Sequence, residues 1–258
     1  MKSIYKDFWH ETRGRFDRLP VWLPGTSIAL GDVGLAEPNG WVPLTSLRDL
    51  GIPFTAGPVG TAVDYAYNSS DGAEVSVGAT IDGGLASTAP ARGNAELRFR
   101  FCRAAAFALM ASAVRVHRLN SIAEIDAKIL MAYRRGSWPP RWTVVTEIAI
   151  GGPVIVVVSG SANCAASVDL GASMTDGTVN LARAGVGLGF GYQRNVAASF
   201  VSRDAAPVLW RGRYLRTRLL RSATIDNRGD VPTVTGPRDD NAVVRELEMP
   251  DDLELADR

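Results

Sequence analysis

The side chains that most often carry catalysis are scarce in this sequence. Its 258 residues include two histidines, His10 and His117, and two cysteines, Cys102 and Cys164. The cysteines lack the paired spacing of a zinc site or a redox motif, which predicts buried thiols. Neither histidine has a candidate nucleophile or metal ligand near it in sequence, so both are expected to be structural. The sequence therefore predicts a protein that is not an enzyme and that uses no metal or cofactor.

Two further patterns fail as catalytic sites. Glycines alternate with apolar residues from Ala184 to Tyr192, but a phosphate-binding loop needs a strand, a tight turn and then a helix. Here the pattern itself predicts a strand. The serines around Gly160 have no histidine that could act as a base, which argues against serine hydrolysis.

Charge is divided unevenly along the chain. Residues 223–258 contain ten acidic residues against four arginines, a net charge of −6, which leaves +7 for residues 1–222. Arginines also cluster beside tryptophan and tyrosine, in one group at Arg134, Arg135 and Arg141 and in another at Arg211, Arg213, Arg216 and Arg218. Such clusters suit anionic lipid headgroups, pairing with the acidic tail, or nucleic-acid phosphates. We predict anionic lipids, and not nucleic acid, as the partner.

The first quarter of the chain predicts one helix and short extended pieces. A helix is expected over Lys2–Leu19, where Pro20 breaks it. Short strands are expected at Ser27–Leu30 and Trp41–Leu44, and a helical turn at Ser46–Leu50 that Gly51 closes.

The remainder predicts a β-rich protein. Residues 74–82 and 94–101 alternate with the period of a strand and form a hairpin around a Gly, Ala and Ser linker. Arg103–Leu119 suits a buried helix or a strand, and a capping box at Ser121 and Glu124 begins a helix through Tyr133. Further strands are predicted at 143–150, 153–159, 184–192, 196–201 and 208–215, with Gly151 and Gly152 as a two-residue hairpin turn. The predicted class is α+β, with a central, twisted, mostly antiparallel sheet and long hairpins, flanked by helices.

The nearly uncharged strands of the middle region have two interpretations. They form a central sheet covered by helices, or they are hairpins stored in a soluble fold that insert into a membrane as barrel strands. The N-terminus has no uninterrupted apolar segment, so we expect a cytoplasmic protein without a signal peptide or a membrane anchor.

Several segments match the pattern of one known family. They are the N-terminal helix followed by Leu19-Pro20 and the short strand Ser27–Leu30, the Leu-x-Asp-Leu turn at 47–50, Ser76-Val-Gly-Ala, Phe99–Phe101, Val144-Val-Thr-Glu147 and Val208-Leu-Trp210. In these segments the chain resembles the bacterial gasdermins. The acylated cysteine that family members often carry near the N-terminus has no counterpart here, where Ser3 stands and no cysteine precedes Cys102.

The resemblance implies a protease-activated pore-forming effector of bacterial defence and cell death. The intact chain would be a cytoplasmic monomer, and the cleaved body would move to the inner membrane, form a homo-oligomer and open a large β-barrel pore. The two hairpins expected to enter the membrane carry Val75, Val77, Ile81, Leu97, Phe99 and Phe101 in the first, and Val144, Ile148, Ile150, Val154, Val156 and Val158 in the second.

The same resemblance divides the chain into three parts. Residues 1–222 form the pore-forming body, 223–238 an exposed cleavable linker, and 239–258 an acidic autoinhibitory tail. The tail would dock through Val244, Leu247, Leu253 and Leu255, the first two at helical spacing. Arg228 and Arg238 suit a trypsin-like activating protease and Asp230 a caspase-like one, and the sequence leaves both open. The alternative function is a nucleic-acid or protein binding module with an acidic regulatory tail.

Overall fold

The computed structural model describes residues 4–22, 25–37, 40–69, 72–80, 94–170, 174–175, 178–179, 188–216 and 243–246. The chain order of its elements is α1 (Ile4–Phe16), β1 (Leu19–Pro20), β2 (Asp32–Glu37), β3 (Gly40–Ser46), β4 (Val63–Asn68), β5 (Ala73–Thr80), β6 (Asn94–Phe101), β7 (Phe107–Arg118), α2 (Ile122–Arg134), β8 (Thr143–Gly151), β9 (Val154–Ser159), β10 (Cys164–Asp169), β11 (Met174–Thr175), β12 (Thr178–Val179), β13 (Gly189–Arg194), β14 (Val196–Ser202), β15 (Ala206–Arg216) and β16 (Val243–Glu246).

Most of the strands form two antiparallel sheets. The central sheet has ten strands and runs β1-β15-β8-β7-β9-β14, with β2, β3, β4 and β16 attached at its sides. The small sheet has four strands in the order β13-β10-β6-β5, and β11 pairs with β12 separately. Two helices and mostly antiparallel strands confirm the predicted α+β class.

Strand β7 lies at the centre of the large sheet and pairs with both β8 and β9. Its C-terminal half pairs with β8, from Arg115 opposite Ile150 to Arg118 opposite Glu147. Its N-terminal half pairs with β9, from Ala111 opposite Val154 to Phe107 opposite Val158. β8 and β9 therefore follow one another along β7 and do not pair with each other, so the hairpin predicted at Gly151 and Gly152 was wrong.

The two glycines lie where neighbouring backbone approaches closely. A Cβ on Gly151 would lie 2.6 Å from Val114 Cγ2, and a Cβ on Gly152 would lie 2.6 Å from the carbonyl oxygen of Asp204. Across the break, the N–H of Gly152 donates to the carbonyl of Ser112 at 2.8 Å. Glycine is needed here for packing between strands and not for a reversing turn.

The core has three layers around β9. Val154, Val156 and Val158 pack in a cluster with Phe8 of α1. The alternate residues Ile155 and Val157 pack on the other side against the small sheet. Because consecutive side chains of a strand point to opposite faces, α1 and the small sheet cover opposite faces of the central sheet.

Helix α2 covers a separate region of the central sheet. Ile125, Ile129 and Tyr133 recur every four residues and are buried in a cluster with Val144 and Leu215. Among the described residues, no helix is long and apolar enough to cross a bilayer.

Local predictions failed where a backbone conformation competed with the pattern. Ser27–Leu30 is irregular, and the strand begins at Asp32. The helix predicted over Lys2–Leu19 is observed as Ile4–Phe16, because Asp17 has a φ of 53° and leaves the helical conformation. Ser121 precedes α2 with a φ of 54° and makes no side-chain cap hydrogen bond, so the predicted capping box is absent. The helix alternative for Arg103–Leu119 is replaced by strand β7.

Candidate functional site

The small sheet separates polar and apolar side chains onto two faces. In β6, Leu97, Phe99 and Phe101 are almost fully buried, whereas Arg98 and Arg100 between them are exposed. In strand β10, Ala166 and Val168 are buried, but Ser167 between them is buried too, so the alternation is clear in β6. This is the period-two pattern of a sheet with one covered and one open face.

Strand register assembles the polar face from three strands. Glu74 and Ser76 of β5 lie opposite Arg100 and Arg98 of β6. Across the next pairing, Arg98 lies opposite Ser167 of β10. Opposite charges facing each other across strands stabilise the pairing by a few tenths of a kcal/mol to about 1 kcal/mol.

Glu96 is held ionised on this face. Its carboxylate accepts a hydrogen bond from Nε of Arg98 at 2.7 Å, and Asp169 lies opposite it on β10. A hydrogen bond from the Ser167 hydroxyl is the main reason that the pKa of Glu96 lies below its usual value, and the hydrogen bond from Arg98 is the second. The polar face therefore carries fixed charges of both signs at neutral pH.

The small sheet consists of two hairpins of the chain. β5 and β6 pair from Ala73 opposite Phe101 to Thr80 opposite Asn94, and β10 pairs with β13 in the same antiparallel sense. The two hairpins meet where β6 pairs with β10. The alternation of residues 74–82 and 94–101 predicted β5 and β6, whereas the pairing of β10 with β13 was not predicted.

The structure places the first predicted inserting hairpin in the small sheet. Val75 is partly buried, and Val77 is 41% exposed. Leu97, Phe99 and Phe101 pack in a cluster with Ile155 and Val157 of the central sheet. Ile81 lies outside the described residues.

The structure places the second predicted set in the central sheet. All six of its positions, Val144, Ile148, Ile150, Val154, Val156 and Val158, lie on β8 and β9. Five of them are buried and Ile150 is partly buried. These strands are buried on both faces and have no continuous polar face, and their entry into a membrane stays a prediction.

Three of the predicted lipid-binding arginines, Arg141, Arg211 and Arg213, form ion pairs within the protein. Arg213 donates from Nε to Oδ1 of Asp126 at 3.1 Å and from its terminal nitrogen to Oδ2 at 2.8 Å. Arg211 donates to the backbone carbonyl of Asp17 at 3.0 Å and also to its carboxylate. These contacts tie β15 to α2 and to the end of α1.

The other cluster lies at the end of α2. Arg134 and Arg135 are exposed there, and Arg141 is 3.5 Å from Glu37. Arg216 ends β15, and Arg218 lies outside the described residues. In the second cluster Arg211 and Arg213 contact Asp17 and Asp126, whereas Arg134 and Arg135 of the first cluster are exposed.

The C-terminal segment returns to the body as a strand. Val243–Glu246 forms β16 and pairs with β15, from Arg213 opposite Glu246 to Arg216 opposite Val243. The predicted helical spacing of Val244 and Leu247 is therefore wrong at Val244. The two adjacent valines favour a strand, and β15 offers an edge beyond the short strand β1. Leu247, Leu253 and Leu255 and the candidate cleavage residues Arg228, Asp230 and Arg238 lie outside the described residues.

Comparisons with known proteins do not identify a family for this chain. No protein-family model matches the chain, and no curated protein matches it. Among solved structures, the chain is similar to the gasdermin A3 membrane pore solved by cryo-EM, with 12% sequence identity, 91% of this chain and 96% of that chain covered, and a TM-score of 0.31. A likeness at this level establishes neither a family nor a function.

Proposed function

We propose that this chain is a membrane pore-forming protein that its C-terminal segment holds inactive until a protease cuts between body and tail. The observation that carries the proposal is the small sheet, in which Leu97, Phe99 and Phe101 form an apolar face opposite a charged one. Strands that line an aqueous pore need this separation, because one face meets lipid and the other meets water.

The small sheet also supplies the required unit, which is a hairpin. A strand that spans a bilayer needs about 9 to 11 residues, and β5 and β6 have eight each. An extension by one or two residues at each end reaches that length. The β10–β13 hairpin beside it is the better second candidate, because β8 and β9 are not a hairpin and lack a polar face.

The pairing of β16 supports the inhibitory role of the tail. β16 covers the edge of β15 from Arg213 to Arg216, and an uncovered edge offers free backbone donors and acceptors to another chain. Removal of the tail would therefore open a surface for assembly. In this proposal the intact chain is a cytoplasmic monomer, and the cleaved body forms homo-oligomers on anionic lipid of the inner membrane as a bacterial defence effector that kills the cell.

Dye release from vesicles tests the proposal. Residues 1–238 lack β16, whereas the matched control 1–250 keeps it. We expect residues 1–238 to release a trapped dye from vesicles that contain phosphatidylglycerol, and the control and the full chain to leave them intact. The same pair, expressed in bacteria at equal protein levels, should differ in toxicity. Intact vesicles with 1–238 at micromolar protein and low salt would refute pore formation, and leakage by 1–250 as fast as by 1–238 would refute inhibition by β16.

A further inference from the structure

A cavity of about 320 Å³ lies between α2 and the turn that follows β3. Helix α2 contributes Lys128, Met131 and Ala132 to its wall, and Arg135, the C-cap residue of the helix, also lines it. These residues are spaced by three, four and seven positions, so they lie on one face of the helix. This face differs from the one that Ile125, Ile129 and Tyr133 bury in the core, although Ala132 at its edge also packs against that core.

The cavity combines positive charge with apolar surface. Lys128 and Arg135 stand two helical turns apart, and Leu50, Ile52 and Trp138 supply apolar walls. Met131 between the two cations is 47% exposed. A ligand that fits this lining has an anionic group and an adjoining apolar part, because a cation would be repelled by both basic residues.

The indole of Trp138 lines the cavity as an apolar ring. The residue is 2% exposed, and its Nε1 is a buried atom with almost no accessible surface, so a ligand in the cavity does not reach this N–H. The wall therefore contains two cations, and phosphate oxygens accept charge-assisted hydrogen bonds from both types of side chain.

The end of α2 does not compete for these donors. The last carbonyls of a helix carry partial negative charge, which disfavours a bound anion. Here the carbonyl of Met131 accepts the N–H of Arg135 at 3.1 Å, and that of Ala132 accepts the N–H of Ser137 at 2.9 Å and its hydroxyl at 3.0 Å. These bonds satisfy the carbonyls nearest the cavity and leave the side chains of Lys128 and Arg135 to set its charge.

We propose that this cavity binds a single organic phosphate with an adjoining apolar group, its phosphate held by Lys128 and Arg135 and its apolar group by Leu50, Ile52 and Trp138. The group comes from a phospholipid headgroup region or from a free phosphate ester. The site differs from a general basic surface, because Arg134 has the same charge one position away, is exposed, and does not line the cavity. Binding here requires no pore formation.

Calorimetric titration of the intact full chain tests the site. The probes are dihexanoylphosphatidylglycerol below its micellar concentration and hexyl phosphate, a free phosphate ester with an apolar chain. We expect the short-chain lipid to bind, and Lys128→Gln and Arg135→Gln each to weaken its binding by about tenfold, since each removes one charge-assisted contact. Arg134→Gln is the matched control and should change the affinity by less than about twofold. Tighter binding of the lipid than of hexyl phosphate assigns the membrane source, and equal binding assigns the free ester.

Equal losses in Arg134→Gln and Arg135→Gln, or no binding of either probe at millimolar concentration, would overturn the proposal. Retained dye release by residues 1–238 with no binding in the cavity would defeat this inference alone, whereas binding without dye release would defeat only pore formation.

Discussion

Replacement of Val77 by arginine tests which face of β5 meets lipid. Val77 lies on the apolar side of β5, opposite Leu97 of β6, and is 41% exposed in the water-soluble protein. A fully buried valine contributes about 1.5 to 3 kcal/mol, so the partial burial of Val77 contributes about 1 to 2 kcal/mol. For a chain of this size that loss lowers the melting temperature by about 5 °C, and Val77→Arg should fold.

The cost in the membrane is larger and is repeated in every subunit. An arginine that faces lipid near the midplane of a bilayer costs about 2 to 4 kcal/mol. Each copy therefore loses roughly a hundredfold in its insertion equilibrium. The added positive charge strengthens attraction to anionic lipid, so Val77→Arg should bind phosphatidylglycerol vesicles at least as well as the parent and still fail to release dye.

Ser76→Arg is the matched control, with the same charge on the neighbouring residue of the same strand. Ser76 is exposed on the polar side, opposite Arg98, so this variant also carries a repulsive cross-strand contact. General destabilisation would affect it too. Equal dye release by Val77→Arg and Ser76→Arg, measured in residues 1–238 with equal vesicle binding, would refute the lipid-facing assignment of Val77.

Three stability predictions concern the body. Val156→Asp should unfold the protein before any effect on insertion can be seen. Val156 is 4% exposed in the core, and a buried carboxylate without a partner costs several kcal/mol. A variant that melts normally and still permeabilises vesicles would contradict both the burial of Val156 and a lipid-facing position. Arg213→Ala should destabilise more than the double variant with Asp126→Ala, because the single change leaves the Asp126 carboxylate half-buried without its bidentate partner; a strictly additive cycle in urea melts would show that the pair contributes nothing. Burial raises the pKa of Tyr5 above its ordinary value, so the folded state keeps this proton above pH 10 while the unfolded state releases it, and stability falls as pH rises through that range. Tyr5→Phe should reduce this alkaline loss, and an unchanged slope of stability against pH would refute the linkage.

The pattern of β5 and β6 was predictable because one of their faces is open to water. An exposed face tolerates polar residues at every second position of a strand, so β5 alternates Glu74 and Ser76 with Val75 and Val77. β7 and β9 are covered on both faces by α1 and the small sheet, so apolar residues fill consecutive positions. A continuous apolar run does not separate a strand from a buried helix, which is why Arg103–Leu119 stayed open.

The pairing of the strands could not be read from local signals. Two adjacent glycines predict a hairpin turn, but Gly151 and Gly152 serve the close approach of β7 and of the segment before β15. Both functions of glycine leave the same letters in the sequence, and the choice between them depends on a strand some forty residues away in the chain. The pairing of β16 with β15 could not be read from local signals either, because residues 217–242 lie between the two strands in the sequence.

Side-chain size differs across the interface between the two sheets. The large side chains of the small sheet set the free-energy cost of separating it from the central sheet in the proposed insertion. The small sheet contributes Leu97, Phe99 and Phe101, whereas the central sheet contributes Ala108, Ile155 and Val157, and Ala106 lies just before β7. Exposure of the three large side chains to water costs about 1.5 to 3 kcal/mol each. Their sum approaches the whole stability of a typical domain, about 5 to 15 kcal/mol. Removal of the tail changes the edge of β15 but not this interface, so cleavage alone gives the small sheet no reason to separate. Contact with lipid offsets this cost, because lipid takes the place of the central sheet against the same apolar face. The proposed insertion is therefore coupled to arrival at a membrane.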